Sequence, residues 1–169
     1  MNRLLPFVLL ISSFAMGQKL PEKTSAFKIT GEVKAERTVR IDDLANYRES
    51  SLGDVVITNH LGEVKSQQRR LKGVLLRDIL ETSEIISKSP KELSAIFVVC
   101  KASDGYTIVY SWNELYNNPA GESIYIITSK DGVLANELDE SIVMISPRDY
   151  KTGRRYLKGL ASIEIKRAL

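Results

Sequence analysis

After residue 17, the apolar residues of this chain come in runs of about four to eight, most of them bounded by Gly, Pro, Asn or Asp. That spacing constrains the fold more than any other feature. Runs this short suit half-buried strands, whereas most helices need more than ten residues to cover a core. Alternation predicts strands over 26–31, 38–41, 53–58, 95–102, 106–110, 123–128, 141–145 and 160–165. Residues 95–102 are the most apolar and β-branched, so they are expected at the centre of a sheet. Asp104-Gly105 predicts the hairpin turn that follows them.

Three short helices are expected beside these strands. One starts at Asp42 with Leu44 facing inward, and one opens at Gly73 with Leu75, Leu76, Ile79 and Leu80 at helical spacing. The third follows Ser111-Trp112-Asn113-Glu114, which reads as a capping box. Residues 63–72 are polar and basic and are expected to run extended at the surface. Strands dominate without a β-α-β rhythm of long helices. The expected class is therefore α+β, a β-rich mixed or mostly antiparallel sheet with about three short helices.

The start of the chain reads differently. Arg3 is followed by an apolar run from Leu4 to Phe14 and by Ala15-Met16-Gly17. This is the pattern of a secretory signal peptide over 1–17, cut before Gln18. The run is too short to span a bilayer, which takes about 20 apolar residues. Residues 18–25 are expected as a flexible leader and 26–169 as a single domain, exported to the periplasm or outside the cell with no transmembrane segment. Cys100 is the only cysteine, so there is no internal disulfide and the core must hold by burial.

Several kinds of chemistry find little support. There is one His, one Cys and no G-x-S-x-G elbow, which disfavours a nucleophilic triad. His60 and Cys100 are too far apart and too few for zinc, and no nucleotide is expected. Cys100 falls on the inward face with Ile96 and Val98, where a thiol behaves as a small hydrophobe. A formal charge of +3 without interleaved aromatic and basic residues does not point to nucleic acid. Asp42-Asp43, Asp104 and Asp139-Glu140 read most simply as a helix start, a turn residue and a solvated loop.

The stretch that stands out is Pro147 to Leu160, where five cations and one carboxylate precede an apolar strand. Arg offers a planar fork of donors for phosphate or carboxylate, and Lys a mobile point charge. The loop is either an anion seat or a solvated basic turn.

The order of the segments adds to this. Gly31 with Val39 to Leu44, then Gly73-Val74-Leu75-Leu76-Arg77-Asp78-Ile79-Leu80, Asp104-Gly105-Tyr106, Pro147, Tyr156-Leu157-Lys158-Gly159-Leu160 and Ile163-Glu164-Ile165 follow one another. The chain thereby resembles the molybdopterin-binding domain of the sulfite oxidase family over roughly residues 26–166. The resemblance implies that family's α+β fold and molybdopterin as cofactor. It implies cationic contacts to the pterin phosphate at Arg155 and Lys158, which Arg154, Arg148 and His60 would assist. It also implies a metal-ligating Cys at the end of the strand before the Gly-Val segment. Here that strand ends Thr58-Asn59-His60, and Asn59 or a neighbour stands where the thiolate is expected. An amide there lacks the soft ligand that suits molybdenum.

The expectation is therefore a non-catalytic domain binding an anionic small molecule or a periplasmic partner protein. Arg148, Arg154, Arg155 and Lys158 would form a clamp, with Asn59 and His60 on the opposite wall. A molybdopterin-dependent oxidoreductase with atypical metal ligation, and an interaction module with no small ligand, are the alternatives.

Overall fold

The computed structural model describes residues 22–168. The expected signal peptide and the first residues of the expected leader lie outside them. The strands are β1 (Ala26–Gly31), β2 (Arg37–Arg40), β3 (Glu49–Thr58), β4 (Val64–Leu75), β5 (Ile96–Ala102), β6 (Thr107–Ser111), β7 (Tyr125–Lys130), β8 (Val133–Leu134), β9 (Met144–Ile145) and β10 (Leu160–Arg167). The α-helices are α1 (Leu76–Glu81) and α2 (Trp112–Tyr116), joined by several 3-10 turns.

Two sheets form. The first has the order β2-β1-β10-β5-β6, antiparallel except for the parallel pair β1 and β10. The second has the order β3-β4-β7-β8, with β9 also on β7, and is antiparallel throughout. The α+β class with its mixed sheet matches the expectation. Among the described residues, no helix is long and apolar enough to cross a membrane.

The large core lies between the sheets. It joins Phe27, Ile29, Val98, Cys100, Ile163 and Ile165 of the first sheet to Val74, Ile126 and Met144 of the second. A smaller core of Val55, Ile57, Leu71, Ile127, Val143 and Ile145 covers the other face of the second sheet. Ile126 and Ile127 are neighbours in β7, and side chains alternate across a strand, so each enters a different core.

Three local expectations shift. Gly73 does not open the helix; it lies inside β4, paired with Ile127, and α1 begins at Leu76. A Cβ at Gly73 would sit 2.7 Å from the Ile126 carbonyl oxygen, so the residue is there for close strand approach. The basic stretch 63–72 is extended as expected, but as most of a twelve-residue strand with Gln68 and Leu71 turned inward. The segment at Asp42 is a 3-10 turn (Ile41–Asn46) with Leu44 buried, and Asp43 rather than Asp42 caps it, accepting from the Arg40 N–H at 2.8 Å.

Candidate functional site: the basic loop at the end of β3

The loop between β9 and β10 is anchored on three sides. The Thr152 hydroxyl donates to the Val56 carbonyl at 2.7 Å and accepts from the Thr58 N–H at 2.9 Å. β3 is an edge strand, so this one side chain satisfies two of its edge groups. Gly153 follows, and a Cβ there would collide with the Thr58 carbonyl oxygen. Lys151 Nζ donates to the Leu61 carbonyl at 2.9 Å, tying the loop to the turn after β3. On the other side the Tyr106 hydroxyl, beyond the Asp104-Gly105 turn, donates to the Arg154 carbonyl at 2.6 Å. The loop, the turn after β3 and the β5–β6 hairpin are thus brought together.

The cations have unlike surroundings. The Arg155 guanidinium lies 4.6 Å above the Tyr110 ring and forks onto Asp149, with Nε 2.6 Å from Oδ2, while Nη1 reaches Glu114. Its side chain is only 21% exposed. The hydrogen bonds to Asp149 push its pKa up, with Glu114 adding to them against the opposing effect of burial. Beneath it the Tyr110 and Ser146 hydroxyls bond at 3.0 Å, and burial raises the Tyr110 pKa.

Lys158 binds Glu140, which also takes Lys130 Nζ at 3.3 Å and the Tyr156 hydroxyl at 3.2 Å. Burial pulls the Glu140 pKa upward, but the two lysines outweigh it and hold the carboxyl below its ordinary value. Glu140 is therefore an ion-pair hub and not a solvated loop residue.

Arg148, Arg154 and His60 are exposed, and among the described residues their side chains make no hydrogen bond or ion pair. Asn59 closes its own turn. Its Oδ1 accepts from the N–H groups of Leu61 (2.9 Å) and Glu63 (3.0 Å), and its Nδ2 donates to Glu63 at 2.7 Å. The site residues are thus split in role: Arg155, Lys158 and Asn59 are spent on internal partners, while Arg148, Arg154 and His60 are exposed.

Sequence reasoning missed Thr152, Asp149, Glu114 and Glu140 as the partners that set this division. Glu114 carried a signal that pointed elsewhere. Ser111 Oγ accepts from the Glu114 N–H at 3.0 Å as a cap should, but the Glu114 carboxylate turns to Arg155 instead of back to Ser111.

The residues at the end of β3 do not fit a thiolate-ligated metal. No sulfur lies there, and Thr152 and Gly153 pack directly on Thr58. Cys100 is fully buried in the large core, where burial pushes its thiol pKa up and keeps it protonated.

No protein-family model and no curated protein matches the sequence. Among solved structures, the chain is similar to the crystal structure of the sulfane dehydrogenase SoxCD from Paracoccus pantotrophus, with a TM-score of 0.62 and 12% identity. The match covers 87% of this chain and 39% of that one, so this chain spans well under half the length of that protein. At that identity the likeness is one of fold, and the fold is the sulfite-oxidase-type α+β domain that the order of the segments implied.

Proposed function

We propose that this chain is an exported, non-catalytic domain of the sulfite-oxidase-type fold that binds an anion, or the acidic surface of a partner, on the outward half of its basic loop. One observation carries the reading: Arg154 and Arg155 are adjacent, yet Arg155 is neutralised by two carboxylates while Arg154 faces solvent without one. The inward cations hold the loop in shape. The outward ones, Arg148 and Arg154, are exposed and form no ion pair among the described residues, and His60 in the turn after β3 is exposed as well. Among the described residues no proton-transfer pair is gathered there, which favours binding without turnover.

The test is thermal stability of residues 18–169 with pyrophosphate and with a pterin phosphate. A ligand that binds the folded state raises the melting temperature, and Arg148→Ala with Arg154→Ala should abolish the rise. An unchanged melting temperature with every oxyanion tried rejects the small anion, and no salt-sensitive retention on immobilised polyglutamate as well rejects the reading whole. Arg155→Ala and Lys158→Ala are poor probes, because both disturb the fold.

The competing reading is an oxidoreductase carrying molybdopterin, favoured by the likeness to a sulfane dehydrogenase. The missing thiol and the packed end of β3 count against it. Stoichiometric molybdenum in protein purified from a molybdenum-replete, export-competent host would establish it and overturn the proposal.

A further inference from the structure

Asp42 and Asp43 read alike in the sequence, as the start of one helical turn, but their surroundings differ. Asp43 caps the 3-10 turn Ile41–Asn46 by accepting from the Arg40 N–H at 2.8 Å. The Asp42 carboxylate takes no part in the cap. Among the described residues it forms no ion pair, and its one hydrogen bond, from the Asn136 amide, is long at 3.4 Å. It lines a cavity of about 530 Å³, a size that suits a small molecule.

The cavity lies where the large core meets the surface. Leu44 belongs to that core, and Ile41 and Tyr47 pack against it. The remaining wall comes from Thr128 of β7, Leu134 of β8 and the 3-10 turn Ala135–Glu137. Leu134 is 55% exposed, and Asp42 and Asn136 are exposed as well, so the cavity opens to solvent along these three.

The charge of the lining has one sign. Asp42 and Glu49 line the cavity, and among the described residues no Lys, Arg or His does. Glu49 is already engaged. It accepts from the Thr128 hydroxyl at 2.6 Å and pairs with Lys72 at 3.1 Å; the Thr128 bond first, and Lys72 with it, hold its carboxyl below the ordinary value against the effect of burial. Asp42 is left as the carboxylate without a counter-charge. Tyr47 adds an aromatic ring, which also attracts cations. A second cavity, of about 620 Å³ along Gly31 and the end of β10, lacks this imbalance, because Glu32 pairs with Arg167 at 3.4 Å and Glu164 with Lys166 at 3.2 Å.

We infer that the first cavity binds a small organic cation, a primary ammonium on an aliphatic body, with the ammonium on the Asp42 carboxylate and the body against Ile41, Leu44 and Leu134. The ammonium gains a charge-assisted hydrogen bond, and the aliphatic part leaves water for an apolar wall. The site is separate from the basic loop. Glu49 begins the ten-residue strand β3, and Thr58, on which the loop packs, ends it, so the two lie roughly 30 Å apart along the strand. Their charges are opposite as well: the loop carries exposed Arg148 and Arg154, the cavity Asp42.

The experiment is an NMR titration of residues 18–169, which retain every described residue, with n-hexylammonium. Hexanoate and n-hexanol offer the same body without the positive charge. Saturable shifts are expected at the amides of Ile41–Asn46 and Ala135–Glu137 and not at those of Thr152–Arg155. Hexanol should bind about tenfold more weakly than the ammonium, and hexanoate more weakly still. Asp42→Asn should weaken the ammonium by about tenfold and leave hexanol unchanged, whereas Leu134→Ser should weaken both. Both side chains are exposed and Asp43 keeps the cap, so the variants should fold, and their melting temperatures check this.

No saturable binding of hexylammonium, or shifts confined to other parts of the chain, overturns the inference. Hexanol or hexanoate binding as tightly as the ammonium also overturns it, since the cavity would then be an apolar pocket indifferent to charge. So does either variant, folded, that leaves the ammonium affinity unchanged. The anion test turns on Arg148 and Arg154 and this one on Asp42 and Leu134, so either can fail without the other.

Discussion

The two cores of this protein are held by different means. The large one, between the sheets, is a continuous set of side chains that are almost all fully buried, from Phe27 on β1 to Ile165 on β10. The small one has six buried apolar residues, and beside it the loop between β9 and β10 is held by polar interlocks: Thr152 on the β3 edge, Glu140 on two lysines, and Arg155, over Tyr110 of the large core, on Asp149 and Glu114. Apolar burial is nondirectional and tolerant, whereas each interlock needs a particular partner. The loop between β9 and β10 is therefore held by charges that on sequence grounds looked like a binding site.

That contrast can be broken by mutation. The largest effect is expected in the large core: Phe27→Ala should cost about 3–5 kcal/mol in chemical denaturation, through lost burial and a residual cavity. A cost near 1 kcal/mol would mean that this core is not the main support.

Arg155→Ala comes next. It leaves Asp149 and Glu114 close together without their cation, and about 2–3 kcal/mol is expected, under the range for a fully buried pair because the guanidinium is partly exposed. Thr152→Val should cost about 1–2 kcal/mol, since it strands the Thr58 N–H and the Val56 carbonyl.

Glu140 gives a signature in pH. Its folded pKa lies below the ordinary 4.5, so its contribution is fully present above that value and fades as the pH falls through the lowered folded pKa. Stability curves of the wild type and Glu140→Gln should differ at neutral pH and converge as the pH falls from 4.5 through the lowered folded pKa. Parallel curves would remove Glu140 from the account.

The smallest effect sharpens the comparison most. Arg154→Ala should change stability by under about 0.5 kcal/mol although it adjoins Arg155. Equal costs at the two positions would erase the division between inward and outward cations.

The first sheet was largely legible in the sequence. Its strands alternate, its hairpin carries Asp104-Gly105, and Cys100 falls on the inward face with Ile96 and Val98. Alternation is a local property, written in residues next to one another. The second sheet was harder. Gly73 read as a helix start because the periodicity of Leu75 to Leu80 appeared to reach back to it; the pairing of Leu75 with Tyr125 keeps the chain extended until Leu76. In the candidate site the basic loop could be located, but which of its cations are spent could not.

The sequence alone determined the class of fold, the placement of most strands and the concentration of charge between Pro147 and Leu160. Those follow from the size, polarity and local order of side chains. The tertiary structure decided the fate of each charge. Glu114 meets Arg155 across 41 residues of chain, and Thr152 meets Thr58 across 94. Ion pairs and edge hydrogen bonds act over a few ångströms, so they exist only once the fold has brought such distant residues together. The same step that neutralises Arg155 leaves Arg154 pointing into solvent.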